Sequence, residues 1–423
     1  YRLSKGEIID VAEAGGGEYE ILHSLLRAPQ RYHATIAIIK SLCILGGFVL
    51  SLHFFSAQPE IMAVAVVSIV WVLWGYSLAC GDGGPFIGDL KHIGLRGIGI
   101  NDTMDNTIPT LLFVSFQMMF AVITPALITG AFVERFKFTT YLIFLVLWIT
   151  LVYAPICHWV WADNGWLFNM NALDFAGGTV VHINAGIAAI AAALLVGKRR
   201  NPGATSHNVP FVVLGAALLW FGWFGFNAGS GLAADGRALN AFLVTNTAAA
   251  AAALTWGLVM YAKFKRIGAV GVATGAIAGL VAITPASGYV NVLGALVIGI
   301  AAGIICFFAA DLIHKKWTSL DDALDVFAVH GIGGIVGALL TGVFAIETIG
   351  GTAGLIEGNG SVMGPQIIAV GATILYSFIA TFIILKILDL IPGLGLRVSE
   401  GDESLGLDIA SHGERAFVND GAD

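Results

Sequence analysis

The feature that most constrains this chain is the recurrence, along nearly its whole length, of unbroken apolar runs of about 20 residues. That length spans the hydrocarbon core of a bilayer. Eleven such runs are present, at 34–55, 61–80, 109–130, 140–161, 175–197, 210–229, 241–262, 268–284, 291–313, 326–346 and 364–390. They are long and do not alternate in polarity, which excludes membrane strands. The expected fold is an all-α polytopic membrane protein of about 11 transmembrane helices, with the lipid bilayer as its solvent. Composition agrees: 57% of the 423 residues are hydrophobic and 12% are charged. The charged share is about half that of a soluble domain. A net charge of −7 with no basic cluster excludes nucleic-acid binding. Glycine, 54 residues in all, is spread through the apolar runs, where small side chains let membrane helices pack closely.

The loops after runs 3, 5, 7 and 9 carry ten Lys and Arg: Arg135, Lys137, Lys198, Arg199, Arg200, Lys263, Lys265, Arg266, Lys315 and Lys316. The alternate loops carry three, Lys91, Arg96 and Arg237. The excess marks the cytoplasmic side and puts the C-terminus inside. Three regions follow: a polar N-terminal segment 1–33, a transmembrane domain 34–390 and a cytoplasmic tail 391–423. The four cysteines, Cys43, Cys80, Cys157 and Cys306, all lie in apolar stretches without CxxC spacing and are read as buried free thiols.

Ionisable groups within a span are costly and mark candidate functional sites. Two stand out. His182 lies in Asp174-Phe-Ala-Gly-Gly-Thr-Val-Val-His182, and His330 in Asp325-Val-Phe-Ala-Val-His330. Each belongs to the fifth span of a five-span block. An odd number of spans inverts the following block, so the chain is expected to be a five-plus-five inverted repeat with these two spans antiparallel. His182 is about eight residues into its span, roughly 12 Å at the helical rise. His330 is as deep from the opposite face, so the two rings can meet near mid-membrane. Three uses are open to them: separate interhelical hydrogen bonds, a paired pore site, or a metal site. The last lacks a third ligand, and HExxH is absent. Asp174 is placed to cap its helix and meet the positive dipole end, with a secondary field that favours a cation. Among aromatics, Trp161, Phe120, Trp223 and Phe226 are candidates, though Trp at interfaces and Phe facing lipid are ordinary.

Together these pieces resemble the ammonium transporter (Amt/Mep/Rh) family, in particular its Amt branch. The resemblance rests on Trp74-Gly-Tyr-Ser-Leu-Ala79, Ala131-Phe-Val-Glu-Arg135, the stretch from Leu173 to Ala185, Gly222-Trp-Phe-Gly-Phe-Asn-Ala-Gly-Ser230, Thr284-Pro-Ala286 and Asp325 to Gly331. The tail adds Gly395-Leu-Arg-Val398, Gly406-Leu-Asp408 and Ser411-His-Gly-Glu414. The resemblance runs from about Val66 to the C-terminus; upstream of about residue 60 the family's Pro-Gly and Phe-Tyr-Gly-Gly-like first helix is absent.

The resemblance implies roles. Trp161 and Ser230, with Phe120 beside them, would recruit ammonium by cation–π contact and hydrogen bonding. Phe120 and Phe226 would stack as a gate. Trp223 would line the pore beside His182 and His330, which would share a hydrogen bond and relay a proton while ammonia crosses. Asp174 would support the recruitment site. The resemblance further implies a homotrimer in the cell (inner) membrane, a PII-type regulatory partner at the cytoplasmic face, and neither a cofactor nor an enzymatic activity. The alternatives are an ammonium sensor with little transport, for which the tail is too short to hold a signalling domain, and a membrane enzyme with a His-bound metal. A water channel is disfavoured, because the single Asn-Pro, Asn201-Pro202, lies in a basic loop.

Overall fold

A computed structural model describes residues 58–104, 107–202, 206, 208–317 and 319–414. Ten apolar helices account for ten of the eleven expected spans. We number them α1 (Ile61–Cys80), α2 (Thr110–Ala131), α3 (Phe138–Asn169), α4 (Gly178–Val196), α5 (Val209–Gly229), α6 (Gly236–Phe264), α7 (Ala269–Ile283), α8 (Val292–Lys316), α9 (Phe327–Phe344) and α10 (Gly360–Leu390). The run at 34–55, the segment 1–33 and Cys43 lie outside the described residues. Most helix ends fall close to the expected ones. Two depart further: α3 runs on to Asn169, eight residues past the expected end, and α6 starts at Gly236, five residues ahead of the apolar run. There the Asp235 carboxylate accepts the Ala238 N–H at 2.9 Å, and this cap carries the helix through a polar first turn.

The exterior is what lipid demands. Leu239, Leu254, Leu293, Leu375 and Leu390 are all more than 60% exposed, an arrangement that water would penalise and acyl chains do not. Inside, small residues replace large ones where helices touch. A Cβ on Gly279 or Gly299 would lie 2.5 or 2.4 Å from the Ala248 carbonyl oxygen, so α7 and α8 both approach the backbone of α6, as close membrane packing requires. Cys157 and Cys306 are buried free thiols, whereas Cys80 is only half-buried. It sits at the end of α1, where the helix leaves the core.

The crossing of α4 and α9 organises the centre. A Cβ on Gly186 would lie 2.2 Å from the Gly331 nitrogen, and one on Gly334 would lie 2.9 Å from Ile183 Cγ1 and 3.0 Å from the Gly178 oxygen. The contact moves backward along α4 as it moves forward along α9, so the two helices run antiparallel. This is the relation expected of inverted halves. Sequence patterning did not reveal that both helices open with a π-helical turn, Gly178–Ile183 in α4 and Phe327–Ile332 in α9. Such turns rotate one side chain out of the regular helical face, and each of these contains the histidine.

At one end of the bundle the basic loops are built into the structure. Arg135 is fully buried and donates to the carbonyls of Ala131, Gly197 and Asp321 at 2.7 to 2.9 Å. Burial pushes its guanidinium down to about 10, with Asp321 opposing, so it stays charged at neutral pH. The tail lies on the same end: Lys137 N donates to Leu396 O at 2.8 Å and Val398 N to Arg135 O at 3.1 Å. Two short helices, α11 (Glu400–Leu405) and α12 (Leu407–His412), follow.

Candidate functional site

The π turn of α4 is held by one side chain. Asp174 Oδ1 accepts the N–H groups of Gly177 and Gly178 at 2.8 and 2.7 Å, and Oδ2 accepts the Thr179 N–H at 2.8 Å together with the Thr179 hydroxyl. Both oxygens are occupied by donors that a helix start otherwise leaves unsatisfied. The capping role is therefore the one the geometry supports directly, and the carboxylate is spent within its own loop. Asp174 reaches the aromatic cluster through its backbone, whose carbonyl accepts the Trp161 indole N–H at 2.9 Å.

From Trp161 a continuous series of rings leads inward. The Phe120 ring centroid lies 5.4 Å from Trp161 and 4.6 Å from Phe226. Phe226 lies 5.8 Å from His182 and 5.1 Å from Trp223. Phe120 and Phe226 meet edge to face at 64°, not stacked as the resemblance implies. An edge-to-face pair puts the positive ring edge on the negative face, and both residues are buried, at 1% and 3% exposure. Ser230 joins through Phe226, whose carbonyl accepts its hydroxyl at 2.9 Å, and this leaves the hydroxyl lone pairs free to accept.

His182 and His330 are brought together. Their Nδ1 atoms are 3.2 Å apart and the rings lie at 30° to one another. With nitrogen facing nitrogen, one must donate and the other accept. Trp223 stacks on His182 at 5.3 Å and 20°, and its indole N–H is fixed by the Thr284 hydroxyl at 2.8 Å. The outward nitrogen of His182, Nε2, is buried with no hydrogen-bond partner among the described residues. Among those residues the pair gathers no third metal ligand.

Sequence reasoning missed three participants. Phe116 packs edge-on against Phe120 at 4.8 Å. Thr284 fixes Trp223. Asp322, rather than Asp325, is the counterpart of Asp174: each stands eight residues before its histidine and accepts the N–H five residues on, Thr179 at 2.8 Å and Phe327 at 2.7 Å. The equal spacing was the available signal. The motif Asp325-Val-Phe-Ala-Val-His330 begins three residues too late to include Asp322.

An integral membrane protein of two inverted halves, with a histidine pair buried at their crossing behind a series of aromatic rings, is the class defined by this geometry. The chain belongs to the Ammonium Transporter Family, whose model matches residues 43–417. That match begins upstream of Val66, where the motif resemblance starts. The chain is 49% identical over 377 residues to an ammonium transporter of Bacillus subtilis, covering 88% of this chain and 92% of that one. The crystal structure of Candida albicans Mep2 superposes with a TM-score of 0.80 at 37% identity, covering 89% of this chain and 87% of that one. A structure described as a sensor Amt protein superposes with a TM-score of 0.79 at 31% identity, covering 89% and 96%.

Proposed function

We propose that the chain carries ammonium across the cell (inner) membrane by splitting it, with ammonia and a proton crossing separately. Ammonium is recruited at the Trp161 end, where the ring face and the Ser230 hydroxyl suit a cation that donates hydrogen bonds; potassium donates none. Cation–π contact contributes roughly 0.5–2 kcal/mol. The apolar passage behind Phe120 and Phe226 penalises a bare ion heavily, so ammonium gives up its proton before passing. The single observation that carries this reading is the 3.2 Å contact between His182 Nδ1 and His330 Nδ1. Two rings that share one proton can hand it on while the free His182 Nε2 meets the incoming donor. Trp223 keeps the His182 ring in place, and Asp174 holds the turn that presents it.

The tail end, with its buried and exposed arginines, is assigned to the cytoplasm by the positive-inside rule. It is the face for a PII-type regulatory partner. The assembly is a homotrimer with one pore per subunit, and the chain divides at 1–33, 34–390 and 391–423.

The test is an ammonium jump on proteoliposomes adsorbed to a solid-supported membrane. A saturable current that is absent with potassium, and is lost when both histidines are replaced by alanine, is the expected result. Undiminished current in the double variant overturns the relay. Alkalinisation of the lumen without current indicates conduction of neutral ammonia. Ammonium binding with neither signal favours a sensor, the second reading, which the superposition on a sensor Amt protein keeps in view.

A further inference from the structure

The inverted halves match in their capping carboxylates but not in how those carboxylates are satisfied. Asp174 has both oxygens filled by four close donors. Asp322 is as deeply buried, at 4% exposure against 6%. Its Oδ2 takes the Phe327 N–H at 2.7 Å, while its Oδ1 is buried and has no hydrogen-bond partner among the described residues. A carboxylate oxygen in that position is costly to leave charged and bare, and protonation relieves the cost. Asp174 offers no such place for a proton.

Two further titratable groups act on Asp322 through their charge, Asp325 and His314. Asp325 follows three residues later, held in the left-handed region at φ 57°. From α8, His314 Nε2 lies 2.9 Å from Asp325 Oδ1. Asp321, next to Asp322, is committed to Arg199 at 2.9 Å and to Arg135 at 4.0 Å, so it does not compete for the proton. Burial raises the Asp322 carboxyl to about 7, with Asp325 adding to the rise and the backbone N–H groups and His314 opposing it.

We propose that Asp322 is the proton-exchange residue of the tail-side half of the pore, taking on Oδ1 the proton released by the histidine pair and passing it to the Asp325–His314 pair and then to water. This rests on the relay reading above. The transfers balance: an N–H bond on the histidine side breaks as an O–H bond forms on Oδ1, across bridging water. That O–H then breaks as the proton moves to His314 Nε2 or to solvent. No electrons change hands.

Asp322→Asn tests it, because the amide oxygen still caps Phe327 N while the group can no longer titrate. Wild type, D322N and D322E are reconstituted, checked for assembly by size exclusion, and compared by ammonium-evoked current against pH and by infrared spectroscopy of the protonated-carboxyl C=O stretch. Wild type is expected to show a carboxyl band that titrates away through about pH 7. D322N is expected to lack that band and to lose about tenfold or more of the current, while D322E keeps current with a shifted pH midpoint. Wild-type current and pH profile in D322N overturn the proposal and leave the relay standing. Absence of current from the wild type overturns both. If D322N does not assemble, an unchanged midpoint in D322E overturns the proposal.

Discussion

Gly186 and Gly331 meet backbone to backbone where the two halves of the protein cross, with no side chain between them. A methyl on Gly186 would fall 2.2 Å from the Gly331 nitrogen and 2.4 Å from its Cα. Neither neighbour is the flexible end of a side chain, so the helices themselves must separate. Overpacking of this kind costs about 1–3 kcal/mol. The functional effect should exceed the loss of stability, since the His182–His330 contact is anchored on these same turns. Gly186→Ala is expected to lower the thermal midpoint of the purified protein modestly and to abolish the ammonium-evoked current. A variant with full current would show that transport does not depend on this backbone contact.

Trp223 depends on one hydroxyl. Its N–H reaches Thr284 Oγ1 at 2.8 Å, and its ring covers His182. Thr284→Val leaves that N–H buried and unpaired, at a cost of about 1–3 kcal/mol, and frees the ring to turn off the imidazole. Thr284→Ser restores the acceptor. Expected are reduced transport and lower thermal stability for valine and near-normal values for serine. If serine fails as badly as valine, the threonine methyl rather than its hydroxyl matters.

The helices and the two histidines were legible in the sequence because their signals are long-range and redundant. A twenty-residue apolar run survives any local irregularity, and an ionisable side chain in such a run stands out by itself. What was not legible is what depends on exact turns. The π turns at Gly178–Ile183 and Phe327–Ile332 leave no compositional trace, yet they aim both rings. Phe116, which packs edge-on against Phe120, is a residue the pattern could not distinguish from any lipid-facing phenylalanine. Asp322 was passed over because Asp325 lies nearer to His330. Only comparison of the two caps, residue for residue, separates them.

Asp174 should be sensitive to charge as well as to shape. Its two oxygens serve Gly177, Gly178 and Thr179 together, and an asparagine can replace one oxygen but not both. Its amide would point two hydrogens at backbone N–H groups. Loss of a cap costs about 0.5–2 kcal/mol, and more where the orphaned donors are buried. Asp174→Asn is therefore expected to be nearly as destabilising as Asp174→Ala, and Asp174→Glu no rescue, as judged by thermal unfolding in detergent. A stable, fully active D174N would show that the π turn holds without an anionic cap.

The tail is held by a carboxylate whose titration can be followed. Glu403 Oε2 accepts from Arg397 at 2.7 and 3.2 Å, and Oε1 accepts the Arg200 N–H at 2.8 Å. Burial raises this carboxyl, but the bonds from Arg397 and Arg200 together outweigh it and hold it below the ordinary glutamate value. A group depressed in the folded state contributes stability that is fully present above its unfolded pKa, about 4.3. That contribution fades as pH falls through the lower folded value. Protection of residues 397–412 from limited proteolysis should therefore be constant from neutral pH down to about that point and be lost only in stronger acid. Glu403→Gln removes the charge but keeps the shape, so at neutral pH it should show the cleavage that the wild type reaches only in acid, with the helices of the bundle still protected. Equal protection of E403Q and wild type at neutral pH would assign tail docking instead to the backbone bonds of Leu396 and Val398.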